Sequence, residues 1–225
     1  MGGRSIKSLV RQIVLSKTYR LSGEASSRAR EVDPDNRWLQ HRRGRRLSAE
    51  AIRDALLAVA GSLDDSLRGG SVPPYVSPNA TANKPTHIPK SGPIDGERRR
   101  SLYIRVRRNF VTPFLELFDF PDQGASVGRR NETIVPTQAL AFLNGPLVHL
   151  QAKRWGERIA MRREGDAKRL DRMFLEAFAR YPSPVEQRVV ADLLLEARGS
   201  GLSGTALWSE VGHVLLAKRE FLYVR

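Results

Sequence analysis

Cysteine is absent from all 225 residues. That absence excludes disulfides, thiolate metal sites, haem attachment through Cys-x-x-Cys-His and cysteine nucleophiles within this chain. It leaves the redox compartment open, because a cysteine-free protein is indifferent to it. Histidine is scarce, with His41, His87, His149 and His213 too far apart in sequence to form an i, i+4 metal-gripping pair. No Gly-x-Ser-x-Gly elbow, His-Glu-x-x-His zinc helix or Walker loop occurs. No apolar run approaches the roughly 18 residues of a membrane-spanning helix. The N-terminus leads into an amphipathic segment interrupted by Lys7 and Arg11, unlike the continuous apolar stretch of a signal peptide. These absences leave no catalytic residue, no metal ligand and no cofactor-binding residue to assign in this chain.

What the sequence has is arginine: 31 of them against 7 lysines, within a formal net charge of +14. One reading is an anionic partner such as nucleic acid, phospholipid or acidic polysaccharide. The other is an arginine-favouring composition, since the excess is spread over the whole chain. Guanidinium groups grip phosphate, sulfate and carboxylate in a bidentate fork, so clusters of them are the places to look. Hydrophobic content of 40% with 28% charged residues is that of a globular chain.

Ser5 is placed to cap a helix with Ile6, Leu9, Val10, Ile13 and Val14 on one stripe, running to about Tyr19. A polar stretch follows, with a turn at Asp33-Pro34-Asp35-Asn36; it lacks the glycine and later ligands of a calcium loop. Arg42-Arg43-Gly44-Arg45-Arg46 precedes a helix capped by Ser48, with Ala51, Ile52, Ala55, Leu56 and Val59 inward and Gly61 as its stop. Residues 62–97 carry Gly69-Gly70, Pro73-Pro74, Pro78, Pro85, Pro89 and Gly92-Pro93, which predicts a long irregular loop. Asn79-Ala80-Thr81 and Asn131-Glu132-Thr133 match the glycosylation pattern, relevant only to a eukaryotic secretory chain.

Residues 100–108 alternate as a strand would. Leu102, Ile104 and Val106 point one way, Tyr103, Arg105 and Arg107 the other. The second face is either an anion platform or a surface covered by acids such as Glu116 or Asp119. Pro113 opens a short helix ending before Pro121, and Pro136 and Pro146 open two more. Asp166 is the expected cap of the next helix, which carries Leu170, Met173 and Phe174 inward. Ser183 and Glu186 form a capping box with Pro184 at the first helical position, ahead of Val189, Val190, Leu193 and Leu194. Thr205 is the expected cap of the last helix. The literal Gly-x-Gly-x-x-Gly of residues 199–204 follows a helix rather than a strand and reads as a linker.

The expected architecture is therefore mainly α: a multi-helix domain with a short strand or small sheet near residues 100–108 and a long Pro/Gly-rich loop. It reads as one domain over 1–225, helical at 1–61, irregular at 62–97, and strand plus helices at 98–225. The candidate binding residues are Tyr103, Arg105, Arg107, Arg108, Arg129, Arg130 and Asn131.

Several segments in order carry a family resemblance: Ser5-Ile6-Lys7-Ser8-Leu9, Ser16-Lys17-Thr18-Tyr19-Arg20, Asp33-Pro34-Asp35-Asn36-Arg37 and the Arg45–Asp54 stretch. The series continues with Arg100-Ser101-Leu102-Tyr103, Phe118-Asp119-Phe120-Pro121-Asp122, Arg129-Arg130-Asn131, Pro136-Thr137-Gln138-Ala139-Leu140, Leu143-Asn144 and Glu220-Phe221-Leu222-Tyr223-Val224. Together they resemble the planctomycete-specific domain of unknown function that closes large cytochrome-associated proteins. The resemblance implies cytochrome-like or other planctomycete domains as upstream partners, an exported or cell-envelope setting, and a Met1 that falls inside the domain after an N-terminal helical portion. It implies no catalytic residue.

Three functional readings follow. The first is a non-catalytic helical module presenting an arginine face to an acidic polysaccharide or to partner domains. The second is nucleic-acid binding through Arg42–Arg46 and Arg98–Arg108, without a recognition helix or ribonucleoprotein motif to support it. The third is an accessory part of a haem redox enzyme whose haem lies on another chain.

Overall fold

The computed structural model describes residues 5–77, 90–107, 110–121, 124, 126 and 128–224. His87, the Asn79–Thr81 pattern and Arg108 lie outside the described residues. Among those described, the protein is mainly helical, with nine α-helices and one two-stranded antiparallel sheet. The chain partitions into two compact units. One holds the described residues up to Arg46 together with Tyr223 and Val224; the other spans Leu47–Leu222.

The first unit begins with α1 (Ile6–Leu15), whose cap Ser5 accepts a hydrogen bond from the Ser8 amide. The helix stops before Tyr19 because Ser16 breaks it. The Ser16 hydroxyl donates to the Ile13 carbonyl at 2.7 Å and accepts the Tyr19 amide at 3.2 Å, so the backbone turns. The apolar stripe of α1 is exposed along its length. A short helix, α2 (Ser27–Val32), lies in the stretch that reads as polar coil. Its signal is the cap Ser26, which accepts the Ala29 amide. The turn at Asp33 forms as expected: its carboxylate accepts the amides of Arg37 and Trp38, both at 2.8 Å. β1 (Arg45–Arg46) then pairs antiparallel with β2 (Tyr223–Val224), Arg45 opposite Val224 and Arg46 opposite Tyr223.

In the second unit Ser48 caps α3 (Ala49–Val59), and Gly61, at φ +69°, ends it in the left-handed conformation. Within the loop expected from the proline and glycine density, the described residues 62–77 and 90–95 carry no helix and only the isolated bridges at Asp64 and Val72. α4 (Pro113–Leu117), α5 (Pro136–Asn144) and α6 (Pro146–Ala160) each start on a proline. α7 (Asp166–Phe178) is capped by Gly165, with Asp166 as its first helical residue. α8 (Pro184–Gly199) has the full Ser183/Glu186 capping box. α9 (Gly204–Leu216) starts at Ser203 without a side-chain cap, so Thr205 sits inside the helix rather than ahead of it. A turn joins α8 to α9, in keeping with the linker reading.

The core is centred on α6 and α9, which pack closely along their length. Trp155, Ile159, Trp208, Val211 and Leu215 are fully buried there, and α3, α7 and α8 add Ile52, Leu56, Met173, Phe174 and Leu194. Burying large apolar side chains of this kind supplies most of the driving force for such a fold. Val189, expected among the apolar residues of α8, is exposed.

The small sheet does not lie at residues 100–108. Ser101–Tyr103 winds into a 3-10 turn, and Ile104 forms a single parallel bridge with Val72. The cause is local. Asp54 on α3 accepts both the amide and the hydroxyl of Ser101, each at 2.7 Å, which pulls the chain into a turn before a strand can run. Alternation is lost as a result: Ile104 is buried, whereas Leu102 and Val106 are exposed.

Candidate functional site

The Ser101 turn, α4 and the first two turns of α3 enclose a cleft of about 470 Å³. α3 contributes Glu50, Ala51 and Asp54; the segment after the turn contributes Arg105, Val106 and Arg107; Val111, Thr112, Leu115 and Phe120 supply a largely apolar wall. Arg100 and Arg130 also reach it. The volume falls within the range of about 300–1,000 Å³ usual for small-ligand sites.

The support beneath this cleft is Arg53, 1% exposed and absent from the expected apolar face of α3. Its guanidinium donates to the carbonyls of Asp95 (2.6 Å) and Arg99 (2.9 Å), to the Ser101 hydroxyl and to Asp54. Burial pushes this guanidinium below its ordinary value, opposed by the charges of Asp54 and Asp95. Gly96, at φ +56°, is required here, because a Cβ would collide with the Arg53 guanidinium. Asp95 in turn accepts Arg154 at 2.8 Å, which anchors the corner to α6.

The predicted binding residues separate into distinct groups. Arg105 and Arg107 both line the cleft. Nε of Arg105 donates to the Ser71 hydroxyl at 3.1 Å, and no carboxylate pairs with either guanidinium among the described residues. Glu116 and Asp119 therefore do not cover this face; Asp119 instead accepts the amide and hydroxyl of Thr133. Arg130 lines the cleft but is paired, donating to both Glu50 oxygens at 2.9 and 2.8 Å. Burial acts most strongly and would raise the Glu50 carboxyl, yet Arg130, a backbone hydrogen bond and Ser48 together outweigh it and hold the group below the usual glutamate value. Arg129 and Asn131 are exposed and line no part of the cleft. Tyr103 leaves the group altogether: its hydroxyl accepts the Arg68 amide at 2.9 Å, and the Arg99 guanidinium stacks 3.8 Å from its ring centroid.

The other arginine clusters are divided as well. Arg99 donates to the carbonyls of Ser66, Arg68 and Gly70, clamping the start of the long loop. Arg46 is buried at the β pairing, Arg43 donates to the Asp35 carbonyl, and Arg42 lies over the Tyr19 ring.

Sequence reasoning missed Glu50, Asp54 and Thr112. The carboxylates gave a faint signal, as acids on the outer side of a capped helix. Thr112 gave none: it is buried, lines the cleft, and its hydroxyl has no hydrogen-bond partner among the described residues. Among the described residues no group of three or more histidine, aspartate or glutamate side chains is arranged to hold a metal, and no helix is long and apolar enough to cross a membrane.

No curated protein and no solved structure matches this chain. One family profile does: PSD1, "Protein of unknown function (DUF1553)", over residues 1–194.

Proposed function

Starting from the chain's membership of the PSD1 family, proteins of unknown function, we propose that it is a non-catalytic binding module whose arginine-rimmed cleft takes an anionic partner. The observation that carries this reading is the pair Arg105 and Arg107, two arginines that line one cleft with no carboxylate paired to either among the described residues. Most other arginines near the cleft are occupied by Glu50, Asp54 or backbone carbonyls. A cation left unpaired beside an apolar wall is a ready counter-charge for a ligand. The partner we favour is an acidic polysaccharide or an acidic face of an upstream domain, in the cell-envelope, cytochrome-associated setting that the sequence resemblance implies. The accessory role to a haem protein belongs to the same setting, with this chain supplying contact and not chemistry. The nucleic-acid reading draws less support, because Arg46 is buried and Arg99 is spent on loop carbonyls.

The test is retention on immobilised heparin, compared among the native chain, an Arg105→Ala/Arg107→Ala variant and an Arg163→Ala/Arg188→Ala control. The control removes the same charge at exposed positions outside the cleft. Earlier elution of the cleft variant alone supports the reading. Equal elution of both variants makes retention a matter of bulk charge and removes it.

A further inference from the structure

The helix α1 is amphipathic, yet its apolar face has no cover among the described residues. It buries none of its ten residues, and Ile6, Leu9, Val10, Ile13 and Val14, which fall on one stripe, are from 37% to 79% exposed. A helix shorter than roughly 12–15 residues is marginal in water on its own and draws its stability from packing of that face. The stripe therefore calls for an occupant.

The charge around the stripe identifies one. Between Ser5 and Gly23 there are Lys7, Arg11, Lys17 and Arg20 and no carboxylate side chain. At 3.6 residues per turn, Lys7 and Arg11 adjoin Val10 and Val14 at the edge of the stripe, where a cationic head stays in water while its stem lies along apolar surface. A second copy of α1 would set these cations against their own kind.

The compact unit that holds α1 continues the pattern. Residues 1–46 contain 12 lysines and arginines against 4 aspartates and glutamates, more than half of the net charge of +14. The same unit leaves Tyr19, Trp38 and Leu39 more than half exposed. An apolar stripe edged by cations, with tryptophan and tyrosine exposed in the same unit, matches a bilayer interface that is apolar below and negatively charged above.

We propose that α1 lies flat on an anionic phospholipid surface, with its Ile/Leu/Val stripe set into the interface and Lys7, Arg11, Lys17 and Arg20 at the headgroups. The helix rests on such a surface and does not cross it. None of these residues lines the Arg105/Arg107 cleft, so loss of lipid binding and loss of heparin retention are separate outcomes.

The experiment is flotation of the full chain with vesicles of phosphatidylcholine alone and of phosphatidylcholine with phosphatidylglycerol. It compares the native protein, Leu9→Ser/Ile13→Ser, Lys7→Gln/Arg11→Gln and an Arg163→Gln/Arg188→Gln control. All the substituted side chains are exposed, so Tm is expected to stay at the native value. The native chain floats with the phosphatidylglycerol vesicles and far less with phosphatidylcholine alone. Leu9→Ser/Ile13→Ser weakens that partition by about tenfold or more with the charge intact. Lys7→Gln/Arg11→Gln weakens it by about tenfold, and the control, which removes the same charge elsewhere, leaves it nearly unchanged. Flotation unmoved by Leu9→Ser/Ile13→Ser, or an equal loss in the control, makes binding a matter of bulk charge and overturns the proposal. No flotation with the anionic vesicles also overturns it and gives the stripe to a protein partner. A native oligomer in sedimentation velocity that Leu9→Ser/Ile13→Ser dissolves assigns the stripe to a second copy and overturns it as well.

Discussion

Arg130 donates to both carboxylate oxygens of Glu50, fastening the coil ahead of α5 to the first turn of α3 and withdrawing one cation from the cleft. The Arg130 side chain is 49% exposed, so solvent screens the pair and its contribution to stability is small, about 0–1 kcal/mol. Glu50→Gln therefore leaves thermal unfolding nearly unchanged while freeing a guanidinium. Retention on heparin should rise above native. A fall in retention would mean that Glu50 orders the cleft instead of neutralising it.

Arg180 sits between two carboxylates, 2.8 Å from each Glu186 oxygen and 2.8 and 2.6 Å from those of Glu220, with Lys218 also on Glu186. These hydrogen bonds, Arg180 first, outweigh burial and hold Glu186 far below the usual glutamate range, while the Arg180 guanidinium is raised. A carboxylate with a depressed folded-state pKa stabilises above its unfolded value of 4.5 and loses that contribution as pH falls toward the folded value. Arg180→Lys, which cannot fork two carboxylates, should cost about 1–2 kcal/mol at pH 7, discounted for the 37% exposure of the side chain. In denaturant titrations the native advantage over Glu186→Gln should be full at pH 7 and shrink below pH 4.5. A gap that widened in acid would contradict the sign.

Gly156 is where α6 meets α9: a Cβ there would overlap the Ser209 backbone nitrogen, whereas one on Gly212 would meet Trp155 at 3.2 Å. Gly156→Ala must push two helices apart and should cost about 2–3 kcal/mol, despite the gain of up to about 1 kcal/mol in helix propensity. Gly212→Ala should cost less, since a ring shift of a few tenths of an ångström accommodates it. Denaturant midpoints in that order check the packing.

Arg53→Met removes a buried cation whose hydrogen bonds hold the 95–101 corner, leaving Asp54 and two carbonyls short of a donor. A loss of about 3 kcal/mol is expected, together with weaker polyanion retention because the Ser101 turn that frames the cleft is released. Retention unchanged in a folded variant would show that the corner does not set the cleft.

Apart from α2, the helices were legible because their signals are local. Ser48, Ser183 with Glu186, and the prolines at 113, 136, 146 and 184 mark starts through capping and a fixed φ, which need no tertiary information. The strand expected at 102–106 was not, because its alternation is overruled by Asp54, about fifty residues away, capturing Ser101. The same kind of long-range capture explains the site. Arg105 and Arg107 were visible as arginines on one side of an extended run, but Tyr103 was drawn off by Arg99 and the Arg68 amide. Arg53 shows the limit most plainly: an arginine off the apolar stripe reads as solvated, and only the carbonyls of Asp95 and Arg99 make it a buried support.

The most direct measurement is amide hydrogen exchange of the full chain with and without a short heparin oligosaccharide at moderate salt. The account predicts slowed exchange concentrated in residues 100–107 and 111–120 and in the first turns of α3, with Arg105→Ala/Arg107→Ala abolishing it. Protection spread evenly over the basic surface, or centred on residues 42–46, would contradict it.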